Sequence, residues 1–453
     1  MRRALIVGGG ISGLSAAYEL AKAGIPSTIV ERRPRLGGVI QTDHAEGCVL
    51  EAGPDSFLAA KPWALELIRE LGLGGDIIGS NDHLRVTYVV KGGKLTPLPD
   101  GLMLMIPTRI WPMVATRLLS WPTKIRMGRE WLRRPPKEPL PDRSVAEFIR
   151  EHYGQETVDY LAEPLLAGVY GGDPNRLSAA SVLTRIVELE AKYGSLTRGV
   201  LAQRKRAAQA ARSMPLFQTL KGGLGQLTAA LERAAADHLE VIHGDAGPLE
   251  LVPGGYKLPV NGEWIETRNV VLACQAHEAG GLAAGIAPEL AQLLNGVEYS
   301  SSMVVTLGYG KRELGHPLNG FGFLVPKRER RRLVACTWVG TKFSFRVPEQ
   351  LALLRCFLGG ADDSALALSD EEILAALGEE LRDLMGVTAR PAFHRISRWP
   401  RSMAQYTVGH AARIARIEEL VQQMPGLHLA GNAYHGIGIP DCVRMGRQAA
   451  RQI

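Results

Sequence analysis

The chain has 453 residues, 46% hydrophobic and 22% charged, a balance that excludes disordered and collagen-like classes and supports large buried cores. At this length a single core stops growing, so two or three domains are expected. The 53 Lys and Arg exceed the 46 Asp and Glu by a formal +7, and five cysteines without a C-x-x-C pair speak against zinc sites and disulfide frameworks and for a reducing cytoplasm.

The first elements read as strand, glycine turn, helix and strand, over Ala4 to Val7, Ile11 to Ala23 and Pro26 to Glu31. The four apolar residues ahead of the turn are too few for the core of a signal peptide. From about Pro97 to Met214 the pattern becomes helical and is cut repeatedly by proline. Its most apolar window, Gly101 to Trp121, is broken by Pro107, Arg109, Pro112 and Arg117 and does not read as a transmembrane helix. Gly222-Gly223-Leu224 opens an amphipathic helix to Ala236, and Val270 to Ala273 is strand-like. Short β-like runs follow at Met303 to Leu307, Gly320 to Val325, Leu333 to Val339 and Leu353 to Leu358, the material of an antiparallel sheet. Asp370 to Leu384 reads as a helix with Ser369 as N-cap and acids in its first turn. A strand at Leu427 to Ala430, a glycine loop and a helix from about Asp441 end the chain. The expected fold is α/β with added α: a Rossmann-like domain (1–80, 215–295, 395–453), whose glycine motifs below make it the FAD-binding part, an antiparallel-sheet substrate domain (81–98, 296–394) and a helical insertion (99–214).

Gly8-Gly9-Gly10-Ile11-Ser12-Gly13 matches G-x-G-x-x-G after a strand and before a helix. There Gly8 permits the tight turn, Gly10 lets a pyrophosphate approach the backbone, and Gly13 allows close packing of helix on strand. Glu31 ends the next strand, where an acid can accept hydrogen bonds from ribose hydroxyls. Beyond it come a second glycine pair in Arg35-Leu36-Gly37-Gly38 and the segment Glu51-Ala52-Gly53-Pro54. NAD does not need these, whereas the longer FAD requires another close backbone approach. Near the C-terminus, Gly431 to Asp441 brings a further glycine loop to a helix start, whose amides can stabilise negative charge on a reduced flavin. Gly222-Gly223-Leu224-Gly225 looks similar but shows no strand before it and no acid after it, so no second nucleotide site is expected. Without one a pyridine-nucleotide half-reaction is not supported, which favours an oxidase passing electrons to oxygen or a diffusible acceptor, and as no Ser/His/Asp order, metal-ligand spacing or P-loop appears the chemistry is left to the cofactor.

These motifs, together with Gly53-Pro54-Asp55-Ser56-Phe57-Leu58, Glu163 to Asp173, Ala335-Cys336-Thr337-Trp338 and Gln405 to His410, resemble the porphyrinogen oxidases of haem biosynthesis, within the monoamine-oxidase-like FAD superfamily. The resemblance spans nearly the whole chain. It implies oxygen-dependent six-electron oxidation of coproporphyrinogen III or protoporphyrinogen IX to the porphyrin, with hydride transfer to non-covalently held FAD and release of hydrogen peroxide. It places cofactor contacts on Gly8, Gly9, Gly10, Ile11, Ser12, Gly13, Glu31, Arg32, Gly38, Val39, Gly53, Pro54, Asp55, Ser56, Ile437, Gly438 and Ile439, with Ala246 at the adenine and Trp399 near the flavin. Mitochondrial and plastid members carry a propionate-binding Arg where this chain has Met103. Ile106-Pro107-Thr108-Arg109 instead resembles the Gram-positive branch, which makes Arg109 a substrate candidate. His435 stands where that branch usually has Glu and is the candidate catalytic base. Alternatives are another flavin amine oxidase or desaturase, and a non-catalytic FAD-binding protein.

Gly101 to Lys137 holds eight bases, one acid and three tryptophans, Trp111, Trp121 and Trp131. The expectation is a helical region with buried Trp anchors and a solvated basic face. Peripheral contact with the inner face of the membrane stays open because related enzymes use this region that way, and a nucleic-acid partner is not expected. A second basic run extends from Lys192 to Arg212. The run Lys327 to Arg332 reads as a solvated hairpin tip, with a role at the substrate mouth as the alternative.

Overall fold

The computed structural model describes residues 2–207, 214–360 and 364–453, and only the backbone of 205–207. The chain forms two compact units, one of Met1–Ser80, Pro215–Tyr299 and Ala412–Ile453, the other of Asn81–Met214 and Ser300–Ala411.

In the first unit, β1 (Arg2–Val7), α1 (Ile11–Lys22) and β2 (Ser27–Glu31) are followed by a hairpin of β3 (Thr42–Ala45) and β4 (Cys48–Glu51). Then come β5 (Phe217–Leu220), α2 (Gly225–Ala235), β6 (Leu239–His243), β7 (Glu263–Leu272), α3 (His410–Gln422, in this unit from Ala412 on), β8 (Leu427–Leu429) and α4 (Ile439–Ala450). The strands β6, β2, β1, β7 and β8 lie side by side in that order, all parallel, with Leu5 paired to Thr28 on one side and Val270 on the other. Strands Glu250–Val252 and Gly255–Val260 add an antiparallel flank to the first half of β7. Ala4 to Val7 and all of β2 are buried, the continuous runs expected where helices cover both faces of a sheet. Helix α1 packs against α2 and α4. It meets α4 through Gly446, where an added Cβ would lie 2.1 Å from the Ser12 carbonyl oxygen. Because the strands are parallel, the loops after β1, β2, β6, β7 and β8 all open on one sheet edge.

The glycine run at 222–225 does follow a strand, contrary to the sequence reading. β5 is only four residues long and is held by antiparallel pairing with Phe57–Leu58 and Ile77–Gly79, partners remote in sequence.

In the second unit a seven-stranded sheet runs in the order 393–405, 298–310, 351–360, 335–338, 322–324, 87–91, 94–97. The pairs between 298–310 and 322–324 are antiparallel, while 322–324 pairs in parallel with 87–91, so the sheet is mixed. Helix Asp370–Met385 buries Ile373, Leu377, Leu381 and Leu384 among the sheet residues Met303, Val305 and Leu354. Its Ser369 and Glu372 form the reciprocal N-terminal cap. The helical segments between Ile110 and Ala207 surround a core of Phe148, Ile149, Tyr153, Leu161 and Leu189 that also takes in Val89 of the sheet. Insertion and sheet therefore share one unit. Residues 395–411, read above with the FAD-binding part, fall in this unit because the strand Phe393–Gln405 runs along 298–310.

The tryptophans are not buried anchors. Trp111, Trp121 and Trp131 are 77%, 62% and 46% exposed. Helix Trp121–Glu130 buries Thr123, Met127 and Glu130, one stripe at helical spacing, which turns Trp121 and Ile125 outward. Of the second basic run, residues 208–213 lie outside the described residues.

Candidate functional site

The sheet edge of the first unit gathers the glycine loops. Gly8 has φ +105, and a Cβ there would stand 2.8 Å from the Ala273 carbonyl oxygen, so only glycine makes this turn. A Cβ on Gly13 would lie 2.0 Å from the Gly8 oxygen. Gly10 is different. It is the N-cap of α1, no side chain caps the helix, and no heavy atom lies within 4 Å of where its Cβ would be. The first amides of α1 and the positive end of its dipole are thus left for an anion. Ile11 and Ser12 form this first turn, with Ser12 buried.

Glu31 is 9% exposed; its carboxylate accepts the Gly9 amide at 2.7 Å and the Arg33 amide at 3.0 Å, which fixes an acid at the rim of the loop. The second glycine pair is joined to the first: the Gly37 amide donates to the Gly9 carbonyl at 2.8 Å, and a Cβ on Gly38 would lie 3.1 Å from the Gly10 Cα. Sequence reasoning missed the residue that shapes this pair. The Arg35 guanidinium donates to the carbonyls of Leu36, Gly38 and Ile40, and burial pulls its pKa below the ordinary Arg range. Gly53 sits on Val39, since a Cβ there would meet the Val39 oxygen at 2.0 Å, and Pro54, Asp55 and Ser56 follow half-buried. Val39 itself is 38% exposed.

Arg32 turns its guanidinium to Glu278 at 2.8 Å and Asp245 at 3.8 Å, and the Glu278 hydrogen bond raises its pKa. Ala246 pairs with Val260 just beyond β6, whose His243 is the partner of Glu31. The segment is tied to Glu31, because the Gly244 amide donates to the Glu31 carbonyl at 3.0 Å. The third loop turns at Gly431 and Gly436, with φ +148 and +120, and leads through half-buried Ile437 and Gly438 to buried Ile439 at the uncapped start of α4. In its first turn the buried Asp441 carboxylate holds the Lys61 ammonium at 2.5 Å, a pair that sequence reading did not find. Cys442 beside it is buried, and burial pushes its thiol up to about 12. His435 projects from the same loop to the Glu418 carboxylate of α3, 2.6 Å away, and about half of its side chain is exposed.

The first unit thus assembles every expected cofactor residue except Trp399, which is buried in the strand Phe393–Gln405 of the second unit. Met103 and Arg109 are exposed in that unit, Met103 in a small hairpin with Ile106–Pro107 and Arg109 packed over Gly101. The 327–332 turn is a solvated, ion-paired tip: Arg328 meets Asp159 at 2.8 Å, Glu329 accepts the amides of Gly92 and Gly93, and Glu380 accepts the Arg332 amide. The segments 163–173 and 405–410 meet each other. The Gln405 amide donates to the Tyr170 carbonyl at 2.7 Å, and Gly172 leaves room for it. Glu163 accepts the Lys327 amide, and burial raises its carboxyl to about 7. No cluster suited to a metal ion occurs among the described residues.

The sequence profile of the flavin containing amine oxidoreductases matches residues 11–453. The chain is 34% identical to the coproporphyrinogen III oxidase of Bacillus subtilis, over 99% of this chain and 97% of that protein. It is 29% identical to protoporphyrinogen oxidase 1 of Arabidopsis thaliana chloroplasts, over 99% and 87%. A crystal structure from Exiguobacterium sp. 255-15, assigned provisionally as a protoporphyrinogen oxidase, superposes with a TM-score of 0.88 at 31% identity, over 99% and 98%.

Proposed function

Since the chain belongs to the flavin containing amine oxidoreductase family, we propose that it is an FAD-dependent porphyrinogen oxidase of haem biosynthesis, with coproporphyrinogen III as its substrate. The observation that carries this reading is the joining of two glycine loops, Gly8–Gly13 and Gly37–Gly38, beside Glu31 and an uncapped helix start. That is more backbone approach than NAD requires, and it fits FAD. The greater identity to the coproporphyrinogen III oxidase than to the chloroplast protoporphyrinogen oxidase supports the choice of substrate.

With FAD bound, the amides at the start of α1 would hold the pyrophosphate, Glu31 would accept ribose hydroxyls, and the backbone at Ala246 would meet the adenine. Arg32, occupied by Glu278 and Asp245, contributes through its main chain. The amides from Ile437 to Ile439 favour negative charge at the start of α4. When bound, the flavin supplies a two-electron acceptor that molecular oxygen re-oxidises to give hydrogen peroxide, and three such cycles convert porphyrinogen to porphyrin. The buried, weakly acidic Cys442 supports a cofactor held without a covalent bond, as does its place behind Pro440 and Asp441. Acid denaturation should then release all the flavin. Arg109 offers a cation to a propionate and Met103 an apolar wall. His435, held by Glu418 at a half-exposed position, fixes its loop rather than acting as a base.

No helix of the described residues is long and apolar enough to cross a membrane. Exposed Ile110, Trp111, Trp121, Ile125 and Leu132, interleaved with exposed Arg126, Arg129 and Arg134, support peripheral contact with an anionic membrane surface.

The deciding experiment follows porphyrin fluorescence after addition of coproporphyrinogen III or protoporphyrinogen IX. Faster oxidation of the first, above the air-oxidation blank, is expected. Oxidation of neither, or oxidation of amines instead, would overturn the assignment.

A further inference from the structure

The run Gly222-Gly223-Leu224-Gly225 looks like a phosphate loop, stands at the start of α2, and takes no part in the site above. What faces it is Glu51, the last residue of β4, which is 2% exposed. One Glu51 oxygen accepts the Leu224 amide at 2.7 Å and the other accepts the Thr42 hydroxyl at 2.7 Å. Thr42 Oγ1 in turn accepts the Gly225 amide at 2.8 Å. An amide can only donate, so the Thr42 proton is committed to Glu51, and both carboxylate oxygens therefore face donors. Gly223, at φ +104, is needed for this approach, because a Cβ there would stand 2.2 Å from the Thr42 methyl.

We propose that this helix start is an anion site filled by the protein's own carboxylate, and that Glu51 is the positioning residue that locks the two flavin-binding segments, Arg35–Thr42 and Gly53–Ser56, to α2. Thr42 closes the first segment, and Glu51 stands two residues before Gly53 of the second. Between them the Ala52 amide donates to the Gln41 carbonyl at 2.9 Å, and Gly53 rests on the Val39 oxygen. From α2, Thr228 reaches back to Gly37, 3.4 Å from where its Cβ would be. A single buried charge thus sets the register of both segments against the helix that supports the second glycine loop.

The inference rests on the flavin reading, and the test separates the two. FAD is titrated into the full-length apoprotein well below its melting temperature and followed by flavin fluorescence and the visible flavin spectrum. Wild type, Glu51→Gln, Glu51→Ala and Leu231→Ala are compared, the last a core variant of α2 that lowers the melting temperature without touching the carboxylate. Glutamine keeps the shape, but its NH2 must face either the Leu224 amide, a donor, or Thr42, whose proton then loses its acceptor, so Glu51→Gln is expected to bind FAD about tenfold more weakly, the factor that 1.4 kcal/mol of lost preorganisation gives. Its flavin spectrum should lose fine structure, while Leu231→Ala binds as wild type does. Formate, an anion that fits the space left by the carboxylate, should restore affinity to Glu51→Ala. The proposal is overturned if Glu51→Gln matches wild type, if Leu231→Ala weakens FAD binding equally, or if formate restores nothing. Failure of the wild type to bind FAD would instead overturn the flavin reading.

Discussion

Gly10 and Gly13 differ in what a methyl group would meet, and that difference separates cofactor binding from folding. At Gly10, φ −70 and ψ −177 suit any residue, and the space around the missing Cβ is empty for 4 Å. Gly10→Ala should leave apoprotein stability within about 0.5 kcal/mol of wild type. On the proposed FAD reading, the methyl would project into the space left for the pyrophosphate. Amide bonds to a charged group contribute about 1.5–3 kcal/mol each, so loss of two weakens FAD by about 3–6 kcal/mol, on the order of a thousandfold. At Gly13 the methyl would lie 2.0 Å from the Gly8 oxygen and 3.2 Å from Ile6 Cγ2, backbone and core that cannot yield cheaply. Gly13→Ala should therefore lower the apoprotein melting temperature as well, at the cost of about 1–3 kcal/mol typical of overpacking. Calorimetry of the apoproteins and FAD titration by fluorescence measure the two effects separately. Tight FAD binding by Gly10→Ala, or an unchanged melting temperature for Gly13→Ala, would refute the reasoning.

A buried charge cluster ties the helical segments together. His152 lies 3.1 Å from Glu130 and 2.9 Å from Glu190, which also meets Arg143 at 2.7 Å. Removing the imidazole by His152→Ala should cost about 3–5 kcal/mol and lower the melting temperature by about 10 °C. Burial works to raise both carboxyls, but hydrogen bonds from His152 outweigh it, with help from Ser195 and Leu196 at Glu130 and from Arg143 at Glu190, and hold both below the usual range. Their contribution is complete above the unfolded carboxyl pKa of about 4.3 and is lost as pH falls through the depressed folded values, so acid melting curves should show it. Trp111→Ser with Trp121→Ser should weaken co-sedimentation with anionic vesicles by roughly tenfold or more, since each exposed ring carries a large apolar area, and leave the melting temperature unchanged. Equal vesicle binding would remove the membrane reading. His435→Ala is expected to lower kcat by less than about tenfold, because a general base typically contributes 10²–10⁴; a larger loss would restore His435 as the base.

The sequence alone determined what depends on neighbours along the chain. The α/β opening follows from apolar runs and from glycine spacing at 8, 10 and 13, and the helix at 370–385 from a cap and acids within one turn. The three glycine loops were legible for the same reason: each needs its glycines locally. Tertiary structure decided which face of a helix is covered and which charges are buried. Trp121 reads from the sequence as a buried anchor, and it is exposed because Thr123, Met127 and Glu130 take the core instead. The edge strand 393–405 carries His394, Arg395, Arg398 and Arg401 and shows no strand signal of its own; its place against 298–310 makes it one. Glu51 and Leu224 are 173 residues apart, and Lys61 and Asp441 are 380 apart. A buried charge is tolerated only where its partners arrive from elsewhere in the chain, and spacing along a single sequence holds no record of that meeting.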